Sequence, residues 1–170
     1  RHDPVERREA TDAAEAGRIW LGRKSAFGAM GQINDYMCLD GTIPVNELPF
    51  VLKRIGEMSA EFGLDVANVF HAGDGNMHPL ILFDANKPGD LERCEALGAE
   101  ILKLCVEVGG CLTGEHGVGI EKRDLMVDQY APEDLDIQMA VKDVFDPKWL
   151  LNPAKVFPLA ASEAHRIAAE

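Results

Sequence analysis

His71 and His78 flank a four-residue segment, Gly73-Asp74-Gly75-Asn76, that separates two β-rich runs, Asp65 to His71 and Met77 to Asp84. Asp-Gly between such runs is a strong hairpin signal. With Asp74 and Gly75 at the centre of a type I′ turn, Gly73 faces Asn76, Ala72 faces Met77 and His71 faces His78. Directly opposite side chains share one face with Cβ atoms about 5 Å apart, close enough for both imidazoles to reach one metal ion at about 2.1 Å. Two histidines are two of the three protein ligands usual in a catalytic site. Glu115-His116 offers candidates for what is missing: a carboxylate to complete the set, and an imidazole able to accept a proton. Neighbours on a regular strand point apart, but Gly114, Gly117 and Gly119 permit irregular backbone that turns both toward one cavity. Arg23 is the other unusual residue. It follows Trp20 by three and precedes Phe27 by four, which puts a guanidinium on an apolar stripe, where it is either an internal or snorkelling cation or an anchor for a carboxylate.

The elements that must position these groups follow from periodicity. A helix is expected from Glu6 to about Met30, ending at Gly31, and a short strand within Tyr36 to Val45 leads to a helix entry near Asn46. The next helix carries Leu48, Val51, Leu52, Ile55, Met58 and Phe62 on one stripe and closes at Gly63. Another follows Asp90 with Cys94, Leu97, Ile101, Leu104 and Cys105 on one face, ending at Val108-Gly109-Gly110. A glycine-rich segment, residues 109–119, carries Glu115-His116. Pro132 opens a last helix with a stripe of Ile137, Val141, Val144 and Phe145, stopped by Asp146-Pro147. The Ala-Glu tail after Pro158 is expected to fray. Helices and antiparallel strands in mixed order imply an α+β sandwich.

The chain has 170 residues, 46% hydrophobic and 27% charged, in keeping with one globular domain. Its 29 acidic against 17 basic residues leave a net charge of -12, which repels phosphate backbones and anionic lipid, so nucleic acid is excluded as a partner. No apolar run approaches a membrane span, and Arg1-His2-Asp3-Pro4 has no signal-peptide core. Cys38, Cys94, Cys105 and Cys111 form no Cys-x-x-Cys pair and are expected to be buried thiols, in keeping with a cytoplasmic location. Neither Gly-x-Gly-x-x-Gly after a strand, nor a P-loop, nor a Gly-x-Ser-x-Gly elbow occurs. The residues alone leave open a self-contained metal-dependent hydrolase, with His71, His78 and Glu115 on the ion and His116 activating water, and a non-catalytic binding or assembly module.

Three groups of residues carry a family resemblance: His71-Ala72-Gly73-Asp74-Gly75-Asn76-Met77-His78, Gly114-Glu115-His116-Gly117-Val118-Gly119, and Phe145-Asp146-Pro147 with Leu151-Asn152-Pro153. They resemble the C-terminal cap domain of FAD-linked 2-hydroxyacid oxidases and dehydrogenases. Asp40-Gly41-Thr42-Ile43-Pro44 and Val66-Ala67-Asn68-Val69-Phe70 are most similar to the bacterial glycolate oxidase flavoprotein branch of that family. The resemblance, running from about Ala16 to Pro158, implies a ferredoxin-like antiparallel sheet with helices packed on it, incomplete at its N-terminal side, and flavin-dependent oxidation of a small 2-hydroxy acid such as glycolate or D-lactate. It implies that His71, His78 and Glu115 hold a divalent metal, zinc or manganese, that His116 takes the hydroxyl proton, and that Arg23 pairs with the substrate carboxylate. Asn152 would lie near the flavin, with Ala154 standing where the family has glycine. Leu80 occupies a position that is polar in relatives acting on longer diacids, which favours a small monoacid. FAD itself would be bound mainly by a separate FAD-binding domain absent here, so that this chain is a distal piece, inactive alone. Further oxidase subunits, including an iron-sulfur electron acceptor, are the implied partners, and through them the protein would reach the inner membrane.

Overall fold

The computed structural model describes residues 7–169. Among these residues, seven α-helices accompany a three-stranded antiparallel sheet: α1 (Ala13–Lys24), α2 (Ala26–Met30), β1 (Asp35–Cys38), α3 (Leu48–Phe62), β2 (Val66–Asn68), β3 (Pro79–Phe83), α4 (Asp90–Glu107), α5 (Met126–Gln129), α6 (Pro132–Phe145) and α7 (Leu159–Ala169). The strand order is β1-β3-β2. From β1 through α4 this is the βαββα part of a split βαβ, ferredoxin-like unit. The position beside β1 that a fourth strand would take is held by the chain after α4, where Thr42 and Cys111 exchange backbone hydrogen bonds of 2.9 and 3.1 Å. The α+β expectation therefore holds.

Two helices form where the apolar stripes are unambiguous. In α3 the stripe buries Val51, Ile55 and Met58, and Gly63 closes the helix in the left-handed conformation at φ 64°. The 18-residue α4 buries Cys94, Leu97, Ile101, Leu104 and Cys105. Both join one core cluster with Leu39, Met77 and Ile81. In the β1–β3 register Met37 pairs with Ile81 and Cys38 with Leu80, so alternation sends Met37 and Ile81 to this core and Cys38 and Leu80 to the other face.

Four expectations about the helices and thiols need correction. The first helix is two: Ser25, with ψ near -3°, separates α1 from α2, and neither contains a buried residue. Its forecast start, Glu6, lies outside the described residues. The stripe on α6 also faces the wrong way, since Leu135 and Met139 are buried while Ile137 and Phe145 are 67% and 81% exposed; Leu135 and Met139 pack into the core, and that orientation turns the Ile137 stripe outward. The tail after Pro158 forms α7 rather than fraying, and His165 ties it to α6 through a 2.7 Å contact with Asp143. Finally, Cys94 and Cys105 are buried, but Cys38 is half-buried and Cys111, past the Gly109-Gly110 turn, is exposed; all four are free.

The hairpin register differs from the forecast by two residues. His71 pairs with Asn76, in line with Val66–Ile81 and Asn68–Pro79, so the loop has four residues, Ala72 to Gly75. Gly75 explains why the turn is not the tight one: it sits at φ 71° with a would-be Cβ 2.1 Å from the Ile43 carbonyl oxygen. The tip is docked on the chain after β1, where the Ile43 amide donates to the Gly75 carbonyl at 2.9 Å.

Candidate functional site

A shift of two residues keeps side-chain parity, so His71 and His78 become diagonal neighbours rather than direct ones, on the same face. Their rings lie 5.5 Å apart, edge to face. The β1–β3 pairing continues beyond the strands through the Leu39–Pro79, Gly41–Met77 and Ile43–Gly75 hydrogen bonds. Its register places Asp40 across from His78 and Thr42 across from Asn76. The sheet face turned away from α3 and α4 thus carries Cys38, Asp40, Asn76, His78 and Leu80.

The 113–116 loop folds over this face because Asp40 holds it. Asp40 has no solvent exposure, and its carboxylate accepts hydrogen bonds from the Thr113 hydroxyl at 2.6 Å and from the amides of Gly114 (2.9 Å), Glu115 (3.1 Å) and His116 (2.8 Å). The buried ammonium of Lys122 lies 3.3 Å away. Burial alone pushes this carboxyl up, but the Thr113 hydroxyl, the His116 and Glu115 amides and Lys122 outweigh it and hold Asp40 well below the usual carboxylate range. Asp40 is the site residue that sequence reasoning missed. Its signal was available: an acid inside the apolar run Tyr36 to Val45 has to be buried and paired.

Within this frame, Glu115 Oε1 lies 2.9 Å from His78 Nε2, 3.9 Å from His71 Nε2 and 3.2 Å from the Asn76 amide nitrogen. His116 stacks on His78, with ring centroids 5.2 Å apart and 20° between planes. The His78 ring is buried, and its Nδ1 lies 3.1 Å from the Leu39 carbonyl oxygen. A carbonyl only accepts, so Nδ1 carries the proton, and the lone pair of Nε2 faces a carboxylate oxygen. Two acceptors at 2.9 Å need a proton or a cation to share. Both Glu115 separations fall within the limit of about 4.2 Å for two donors each about 2.1 Å from one ion, and the orienting Leu39 carbonyl is the kind of outer contact that fixes a ligating histidine. The donor atoms of His78, Glu115 and His116 lie within 4.8 Å of one another, a spacing that suits a divalent ion, whereas His71 is not among them and approaches through Glu115 at 3.9 Å. Asp40, although within 4.8 Å of the His78, Glu115 and His116 donor atoms, is committed to amides and Lys122. The buried Oδ1 of Asn76, beside Glu115, has no protein partner.

The side chains of His71 and Glu115 are about half exposed, so the cluster opens to solvent on that side. Phe27 of α2 lies 6.3 Å from His78, ring to ring. Arg23, four residues earlier in the last turn of α1, is exposed and has no ion-pair partner among the described residues. An internal salt bridge is thus not what holds it there, and the stripe it shares is solvent-facing, with Ile19 and Trp20 exposed. Asn152 sits apart from this cluster in the sequence. It is exposed, at φ 47°, with its Oδ1 3.4 Å from Lys155 Nζ. Trp149, Ala154 and Val156 nearby also have positive φ, a conformation costly for residues with a Cβ. The segment is held by Arg123, which donates to the Ala154 carbonyl at 2.8 Å, and by the Val156 amide on Gly119 at 2.8 Å.

Residues 2–156 match the family described as FAD linked oxidases, C-terminal domain. The chain belongs to that family. It is 57% identical over 152 residues to the glycolate oxidase subunit GlcD of Escherichia coli (strain K12), covering 89% of this chain and 30% of that protein. It is 35% identical over 169 residues to the GlcD subunit of Bacillus subtilis, covering 99% and 36%. It is also 33% identical over 161 residues to D-lactate dehydrogenase [cytochrome] 1, mitochondrial, of Saccharomyces cerevisiae, covering 91% and 27%. This member of the FAD-linked oxidases thus spans about a third of the length of the curated relatives it matches.

Proposed function

We propose that this chain is the substrate- and metal-binding part of an FAD-dependent oxidoreductase that converts a small 2-hydroxy acid, glycolate or D-lactate, to its 2-oxo acid. The observation that carries the proposal is the convergence of His71, His78, Glu115 and His116 on one sheet face in a chain of this family. His71, His78 and Glu115 would hold a divalent ion, zinc or manganese, which would polarise the substrate hydroxyl. His116, stacked on His78 and fixed at its amide by Asp40, accepts the hydroxyl proton. Arg23 offers an unpaired fork to the substrate carboxylate. Leu80, buried two residues along from His78 on the same face, gives that side an apolar wall suited to a short acid. FAD, held mainly by a domain outside this chain with Asn152 beside the flavin, would supply the acceptor for the C2 hydrogen and its electron pair. The relatives that are named oxidase subunits support further subunits as partners, an iron-sulfur acceptor among them, in a cytoplasmic assembly brought to the inner membrane by those subunits. None of the described helices is long and apolar enough to cross a membrane.

The test is reconstitution. This chain combined with a separately produced FAD-binding domain should reduce a dye with glycolate or D-lactate, and His116→Ala should lower turnover about a hundredfold or more. In the chain alone, Mn2+ binding measured by calorimetry should be lost in a His71→Ala, His78→Ala double variant. Unchanged turnover removes the base assignment, and unchanged Mn2+ binding removes the metal site.

A further inference from the structure

We infer that Cys38, His78 and His116 form a second, softer donor set for a thiophilic divalent ion such as Zn2+, Co2+ or Cd2+, and that an ion held there is inhibitory. It shares only His78 with the set proposed above, and it rests on that reading only for the consequence on catalysis.

Geometry carries the inference. Cys38 ends β1 on the same sheet face as His78 and is paired with Leu80, two residues further along the same strand direction, so thiol and imidazole are diagonal cross-strand neighbours. His116 arrives from the loop and lies flat against the His78 ring. One donor atom from each of the three residues lies within 4.8 Å of both others. Three donors on one ion, at about 2.3 Å to sulfur and 2.1 Å to nitrogen, lie about 3.5–3.8 Å from one another, so side-chain movement of up to about 1 Å closes the set. His78 is buried, Cys38 half-buried and His116 exposed, which leaves one side for an ion to enter. Of the two carboxylates beside these groups, Glu115 belongs to the set proposed above, and Asp40 is taken up by Thr113, three amides and Lys122. It supplies nearby negative charge without competing as a ligand.

The two sets differ in character. His71, His78 and Glu115 present two nitrogens and an oxygen, agreeable to Mn2+; Cys38, His78 and His116 present two nitrogens and a sulfur, which favours softer ions. An ion bound here takes the thiolate form of Cys38, so a thiol proton is released as it binds. An ion in this position occupies the ring of His116, and the proposed base is no longer free to take a proton from substrate.

Co2+ titration of the purified protein reads this directly, because thiolate ligation gives a near-ultraviolet charge-transfer band that nitrogen and oxygen donors do not. The band should appear in the wild-type protein, persist in Cys111→Ser, which removes the exposed thiol, and vanish in Cys38→Ser. Cd2+ should bind Cys38→Ser about tenfold more weakly or worse, since losing a ligand costs no less than losing an outer contact. Glu115→Gln separates the two proposals: it should weaken Mn2+ binding yet leave the Co2+ band in place. The cadmium NMR shift of the wild-type complex reports a sulfur ligand without any variant. No charge-transfer band at saturating Co2+, a band that survives Cys38→Ser, or a cadmium shift without sulfur character would each overturn the inference.

Discussion

Asp40 gathers three amides, a hydroxyl and an ammonium around one buried carboxylate, and so converts a flexible glycine-rich segment into a mount for Glu115 and His116. Replacing it by asparagine removes the charge, turns an NH2 toward donors and leaves Lys122 buried without its partner. Asp40→Asn should cost about 3 kcal/mol or more in chemical denaturation, with Mn2+ affinity falling as Glu115 loses its position. The pH dependence has a definite sign. Asp40 is held below its unfolded value of about 3.9, so its contribution is complete above that pH and is lost as the pH falls toward the native value. The wild-type protein should therefore lose more stability than Asp40→Asn between about pH 4 and more acid solution, measured by denaturant titration at each pH. Equal slopes would mean that the carboxylate is not ionised in the fold. The thiols behave oppositely, with Cys105 pushed up to about 12 by burial, so it should resist alkylation in the native protein while exposed Cys111 reacts.

Among the elements, two segments carry testable backbone strain. Ala154, at φ 58° where the family resemblance expects glycine, pays the left-handed penalty of about 1–2 kcal/mol, partly offset by the greater unfolded freedom that glycine would bring. Ala154→Gly should stabilise the protein by about 1 kcal/mol or less, seen as a raised melting temperature; a lowered one would show that Arg123 and Gly119 do not hold this conformation as described. The hairpin tip is the converse case. Gly75→Ala places a methyl against the Ile43 carbonyl, and hydrogen exchange should then show the Ile43 amide, which donates to Gly75, losing protection while α4 keeps its own. The same elements show what the sequence can and cannot tell. In α3 and α4 the apolar period and the closing glycines are local, so element and face are both legible. In α6 there are two apolar stripes, Leu135 with Met139 and Ile137 with Val141, and only the position of the rest of the fold chooses between them. The role of Asp40 depends on partners 73 to 82 residues away, a separation that no local motif records. His71, His78, Glu115 and His116 were nameable because hairpin parity and glycine spacing are local, while the two-residue error in register came from the docking of Gly75, a contact made across the chain.

At the scale of the molecule, Ile137, Val141, Val144 and Phe145 of α6 are exposed, as are Leu150 and Leu151 after it in the chain. An apolar surface of this kind is unusual on an isolated soluble domain. The chain alone should self-associate reversibly in sedimentation, and a Val144→Glu, Phe145→Ser pair should reduce that association while changing folding stability by no more than about 0.5 kcal/mol each, as for exposed positions. Concentration-independent sedimentation of the wild type would show the stripe to be inert. The purified chain should also be colourless, since no phosphate-binding glycine motif occurs in it; stoichiometric flavin absorbance would require a cofactor site not described above.

The four-residue hairpin loop imposes an arithmetic on its own evolution. Inserting or deleting two residues between His71 and His78 slides one strand by a full pleat and leaves both imidazoles on their present side of the sheet. A single-residue change reverses one strand's inside and outside, sending a histidine into the helices and an apolar residue into water. Tolerated length variants of this segment should therefore come in even steps, and odd ones should survive only where a bulge absorbs the extra residue.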